Sequence, residues 1–206
     1  MQLIVEANSI LSDLKVNQVD ATDLSGLEPF CRRARDLGYH NNSSLSALKV
    51  NQIAEGRLAY WTLHQADQVV GISGCQALPE LSSDCYRILF RACMLPEIKF
   101  SQGLSRSAIS SSPLWQLIVP LQIQWAQRFG GKRLVVSVNR SDDDAELPMK
   151  MSKVGRVMKS MKRMGYVRLW KENELLYGAN QDIYELNLNC YNSELRRINQ
   201  SLNSIY

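Results

Sequence analysis

"LAYWTLHQADQVVGISGCQALPELSSDCYRILFRACML", Leu58 to Leu95, holds three β-rich runs in a row. Leu58–His64 and Val69–Leu78 are dense in aliphatic, aromatic and β-branched residues. The polar turn Gln65–Gln68 between them reads as a hairpin. Cys85–Leu95 is a third strand of the same group, and Pro96 closes it, since proline cannot donate to a ladder.

Working outward toward the N-terminus, "LKVNQVD", Leu14 to Asp20, is a short strand. "ATDLSGLEPFCRRARDLGY" is a helix in which Asp23 or Ser25 caps the start and Gly38 the end. Its apolar face is Leu27, Phe30, Cys31, Ala34 and Leu37. In "NNSSLSALKV" cap-type residues precede Leu45, Leu48 and Ile53, so a second short helix is expected.

Toward the C-terminus, "FSQGLSRSAISSSPLWQ", Phe100 to Gln116, joins the third strand to a helix. Ser112 and Pro113 fit a cap and first helical residue. Leu114, Leu117, Ile118, Leu121, Trp125 and Phe129 follow at helical spacing, and Gly130-Gly131 ends the helix. Pro120 should kink this helix or delay its start. Lys132–Asn139 is a buried strand. The stretch 152–166 is a helix with Val154, Val157, Met158 and Met161 inward. Strands "YVRLWK" and "DIYELNL" close the body, read as 1–190. Residues 191–206 form an amphipathic helical tail with Leu195, Ile198, Leu202 and Ile205 at helical spacing. The order β-α-α-β-β-β-α-β-α-β-β implies a mixed central sheet flanked by helices, an α/β fold.

Composition sets bounds on function. The chain has 206 residues, 45% hydrophobic and 21% charged, which suits one packed domain rather than disorder. No apolar run reaches the roughly 18 residues of a membrane helix, and the N-terminal stretch lacks a signal-peptide pattern, so a cytoplasmic protein is expected. The five cysteines are scattered and odd in number, and the two histidines stand apart. Neither a disulfide framework nor a metal site is expected. Lys150, Lys153, Arg156, Lys159, Lys162, Arg163, Arg168 and Lys171 have no acid among them, although the whole chain is only +4. This local field suits an anionic partner, whether nucleic acid, a nucleotide cofactor or an acidic protein face. It also suits a plainly solvated helix face.

In sequence order, "VNQVDATDLSGLEPF", "YWTLHQADQVVGISGCQAL", "CYRILFRACMLPE", "WAQRFGGKRLVVSVN" and "VMKSMKRMGYVRLW" resemble successive segments of the GNAT superfamily of N-acetyltransferases. The resemblance covers roughly residues 14 to 188 and implies the acyl-CoA N-acyltransferase fold. It also implies acetyl-CoA as cofactor and a small-molecule or protein amine as acceptor. The cofactor would lie along Cys93, Met94 and Leu95, with Asn139 opposite and Ser110, Ser111 and Ser112 at its pyrophosphate. Glu80 and Glu97 are the carboxylates expected nearest the cleft, to deprotonate the amine. Two departures stand out. Serines and Pro113 replace the family's glycine-rich phosphate loop, where bare backbone lets N–H groups approach the anion. Met161 occupies the place of a frequent tyrosine acid. "LGYHNNSSLSAL" and "LFRACMLPE" also resemble, more loosely, acyltransferase-like proteins of tailed bacteriophages. Two other readings therefore stay open. One is a non-catalytic module binding nucleic acid or an acidic partner through Lys150, Lys153, Arg156, Lys159 and Lys162. The other is an assembly component docked by the C-terminal segment.

Overall fold

The structure, a computed structural model, describes residues 14–20, 22, 24–36, 50–93, 117–139, 158–159 and 161–189. Strand β1 is Leu14–Gln18. A 3-10 turn at Ser25–Leu27 leads into helix α1, Glu28–Asp36, and α2 is Val50–Ala54. Strands β2 (Leu58–Gln65), β3 (Gln68–Ala77) and β4 (Cys85–Cys93) follow. Helix α3 is Val119–Arg128, and β5 (Arg133–Asn139), β6 (Val167–Leu176) and β7 (Ala179–Leu186) complete the elements. Met158, Lys159 and residues 161–163 are helical as well.

The seven strands form one sheet in the order β1-β2-β3-β4-β5-β7-β6. All neighbours are antiparallel except β4 and β5, which run parallel and are joined by the crossover through α3. A parallel pair needs such a crossover, because a tight turn cannot reverse the chain twice. The expected element order and mixed sheet are therefore present.

Each face of the sheet has its own cover. Trp61, Leu63, Cys75, Tyr86, Ile88, Leu134, Val136 and Tyr184 pack with Ile118, Ile123 and Ala126 of α3 and with Met158 and Met161. On the other face Leu58, Tyr60, Val69, Ile72 and Leu89 pack with Leu27, Phe30, Cys31 and Ala34. Alternation along each strand produces this division: Tyr86 and Ile88 face α3, while Leu89 faces α1.

Several boundaries and faces differ from expectation. Ser25 lies inside the 3-10 turn, whose start has no side-chain cap. Pro120 falls in the first turn of the α-helix α3, and Leu117 and Ile118 before it are wound as a π-turn. The buried face of α3 is Val119, Gln122, Ile123 and Ala126. Leu117, Leu121 and Trp125 are only partly buried against the core, and Phe129 is 53% exposed. The final hairpin is longer than expected. β6 and β7 extend to a tight turn at Tyr177 (φ 53°) and Gly178 (φ 78°), the left-handed pair that a two-residue hairpin favours. Leu37, Gly38, Leu45, Leu48, Leu114, Val154, Val157 and the tail 191–206 lie outside the described residues.

The end of α3 is fixed by Gly130-Gly131. Gly130 has φ 83°, and its N–H and that of Gly131 donate to the carbonyls of Gln127 and Ala126, a Schellman closure. A Cβ on Gly131 would stand 2.5 Å from the Tyr86 ring. The Tyr86 hydroxyl donates to the Phe129 carbonyl at 3.0 Å, and its ring meets Trp125 edge-on at 5.6 Å. This contact seats α3 at the start of β4.

Candidate cofactor and acceptor cleft

Strands β4 and β5 pair over only three positions: Cys85 with Arg133, Tyr86 with Leu134, and Arg87 with Val135. Both strands then continue, β4 to Cys93 and β5 to Asn139, with no mutual pairing among the described residues. Each stays bonded on its outer side, β4 to β3 as far as Cys93 and β5 to β7 as far as Asn139. The two strands thus open into a V whose inner edges carry backbone N–H and C=O groups.

The unpaired stretch of β4 carries a bulge. Ser73 pairs with Phe90 and Ile72 with Ala92, so residue 91 has no counterpart on β3. One extra residue bends a strand and increases its twist, here within the stretch of β4 that is not paired with β5. Beside this bulge, Gln122 of α3 is fully buried. Its Nε2 donates to Ser73 Oγ at 2.8 Å and to the Gly74 carbonyl at 2.9 Å. Ser73 Oγ in turn donates to the Leu89 carbonyl at 3.0 Å.

The closed end of the V is pinned by charge. The Asp84 carbonyl accepts from the Lys132 and Arg133 N–H groups, at 2.9 and 3.2 Å. Arg133 reaches the Asp84 carboxylate at 3.5 Å and that of Glu185 at 3.6 Å. A hydrogen bond from Ser82 holds the Asp84 carboxyl below the usual range. Burial opposes this shift, and the nearby Arg133 and Lys132 reinforce it.

Sequence reasoning placed Glu80 near the cleft. It lies instead in the turn between β3 and β4, beyond the closed end. It stands near Tyr177 and Arg87, with the Arg87 guanidinium 5.4 Å from the centre of the Tyr177 ring. Cys93 and Asn139 do sit at the open ends of β4 and β5. Asn139 is exposed and pairs with Gln181 of β7. Met94, Leu95, Glu97, Ser110, Ser111 and Ser112 lie outside the described residues.

Met161, at the place of the family's frequent acid, is 1% exposed and packs in the α3-side core. The Tyr86 phenol is also core-facing, and burial raises its pKa. The Cys85 thiol is pushed up to about 12, first by burial and then by Asp84, and burial raises Cys75 as well. Neither is a nucleophile at neutral pH. Lys159, Lys162 and Arg163 are exposed on the α3 side of the sheet, while Lys150, Lys153 and Arg156 lie outside the described residues. Gln122 and Ser73 escaped the sequence reading. Their signals were a glutamine within an apolar helical run and a serine between two strand glycines.

No protein-family profile matches the chain, and no curated protein matches it in sequence. Solved structures do match it in shape. An acetyltransferase assigned to the GNAT family from Desulfovibrio desulfuricans aligns with a TM-score of 0.54 and 12% identity, covering 84% of this chain and 98% of that one. The GNAT domain of PAT from S. lividans aligns at 0.53 and 11%, covering 84% and 90%. The PaiA N-acetyltransferase from Thermoplasma acidophilum, solved in complex with coenzyme A, aligns at 0.50 and 10%, covering 84% and 98%. The chain has the GNAT acyl-CoA N-acyltransferase fold. At such identities the likeness is one of fold. The looser resemblance to phage proteins and the nucleic-acid reading gain nothing from these comparisons. Among the described residues no helix is long and apolar enough to cross a membrane.

Proposed function

We propose that the protein is an acetyl-CoA-dependent N-acyltransferase acting on a small-molecule or protein amine. The observation that carries this reading is the V between β4 and β5, with the bulge at residue 91 on one of its arms, within a GNAT fold. Its two inner edges offer backbone donors and acceptors that a buried strand must satisfy. A slender ligand with amides of its own, such as the pantetheine arm of coenzyme A, fits that requirement in the manner of an added strand. Acetyl-CoA supplies an acyl group activated as a thioester.

The chain's own residues would bind and orient. The inner edges of β4 beyond Arg87 and of β5 beyond Val135 would hold the arm. Ser110, Ser111 and Ser112 would meet the pyrophosphate with hydroxyl and N–H donors. The exposed Lys159, Lys162 and Arg163, on the same side of the sheet as α3, would add a favourable field. Glu97 follows β4 by four residues, and its carboxylate would take the proton of the attacking amine.

Denaturing extraction and mass spectrometry of purified protein should release coenzyme A or acetyl-CoA, and calorimetry should show acetyl-CoA binding. With an amine panel and thiol detection, Glu97→Gln should lower kcat by about 10²–10⁴-fold, the range for losing a positioned base. No heat and no thermal shift at millimolar acetyl-CoA would remove this reading.

A further inference from the structure

The Gln122–Ser73 pair is costly unless it performs a task. Gln122 is fully buried and Ser73 is 1% exposed. Gln122 uses its amide nitrogen twice, while its Oε1 has no hydrogen-bond partner among the described residues. A buried amide oxygen without a partner is destabilising, and a leucine of similar volume would avoid that cost. Packing alone therefore does not account for glutamine here. The groups it reaches are specific. They are the carbonyl of Gly74 and, through the Ser73 hydroxyl, the carbonyl of Leu89, a pair of residues opposite each other across β3 and β4. The next position along is Ser73 opposite Phe90, and the unpaired residue 91 comes directly after it. A bulge interrupts the ladder and leaves backbone groups in need of other partners. Gln122 and Ser73 bond, from the α3 side, to the carbonyls of the paired position that lies just before this interruption.

We propose that Gln122 and Ser73 are positioning residues that hold β4 in its bulged path and so set the opening between β4 and β5. What that opening receives rests on the function proposed above; the latch itself does not. Gln122 stands in the first half of α3, so the same contact ties the helix that crosses from β4 to β5 to the point where those strands part.

Hydrogen exchange of the full chain without ligand tests the latch. In Gln122→Leu and in Ser73→Ala, amides of residues 89–93 should exchange about tenfold faster, as expected for one lost buried hydrogen bond. Amides of β1, β2 and the β5–β7 pair should not change. Ser73→Thr, which keeps the hydroxyl, should restore protection. Acetyl-CoA affinity should fall by about tenfold in the first two variants and recover in the third. Leu27→Ala, a core deletion on the α1 side, should lower overall stability without either local effect. Ser73→Ala removes a single oxygen and decides the matter if Gln122→Leu does not fold. Uniform acceleration across the sheet, or unchanged exchange at 89–93, would overturn the proposal. If the wild type binds no acetyl-CoA, the transferase reading falls and the exchange result still decides the latch.

Discussion

Asp84 joins two jobs in one residue. Its backbone carbonyl accepts the first N–H groups of β5, and its carboxylate takes the Ser82 hydroxyl and faces Arg133. The hydrogen bond favours the charged form, so the folded-state pKa lies below the ordinary 3.8. The sign follows from linkage. A carboxyl whose pKa is lowered on folding contributes stability that is complete above its unfolded pKa. That contribution is lost as pH falls through the folded value. Denaturant titrations at pH 7 and at about pH 3 should therefore show wild type losing more stability on acidification than Asp84→Asn. Equal losses in the two proteins would mean that the carboxylate does not support the closed end of the V.

Helix α3 shows what a period can and cannot tell. Leu117, Ile118, Leu121, Trp125 and Phe129 make one acceptable stripe; Val119, Gln122, Ile123 and Ala126 make another, rotated around the axis. Counting apolar residues favours the first, because the second contains a glutamine. The structure buries the second, together with Ile118 of the first, and the glutamine is accommodated because it meets Ser73 and the Gly74 carbonyl of β3. Ile123→Ala should accordingly cost about 2–5 kcal/mol in denaturant unfolding, as core deletions do. Phe129→Ala, at a half-exposed site, should cost about 1 kcal/mol or less. The reverse ranking would restore the face read from the sequence. Strands, by contrast, were legible. The runs at 58–64, 69–78 and 85–93 are dense in β-formers on both faces, and bulges at 70 and 91 shift register without ending the strands. The final hairpin was read short because Glu172 to Glu174 look like loop. They form the edge strand β6, where charge and two register shifts are tolerated. The site was the least legible part. That Glu80 lies at the paired end depends on strand direction and register, and the bulge at 91 depends on a pairing count; no local spacing displays either.

For the molecule as a whole, the sheet is nearly two sheets. β1 to β4 form one antiparallel block and β5, β7 and β6 another. Three residue pairs at Cys85–Arg87 join them. The α3-side core spans the seam through Tyr86, Ile88, Leu134 and Val136, so the blocks are held by packing and by one end of the ladder. A ligand seated in the V would bond to both inner edges and act as the missing strand. A ligand bound elsewhere on the surface would touch one block alone. The two cases differ in hydrogen exchange. With saturating acetyl-CoA, protection should rise together on β4 residues 88–93 and on β5 residues 136–139, while β1, the outermost strand of the first block, stays unchanged. Stability should rise as well, by about 2.7 kcal/mol when the free ligand is 100 times its Kd, because only the folded chain binds. Protection confined to one of the two strands, with the same stabilisation, would place the ligand outside the V and separate binding from the geometry that makes transfer plausible.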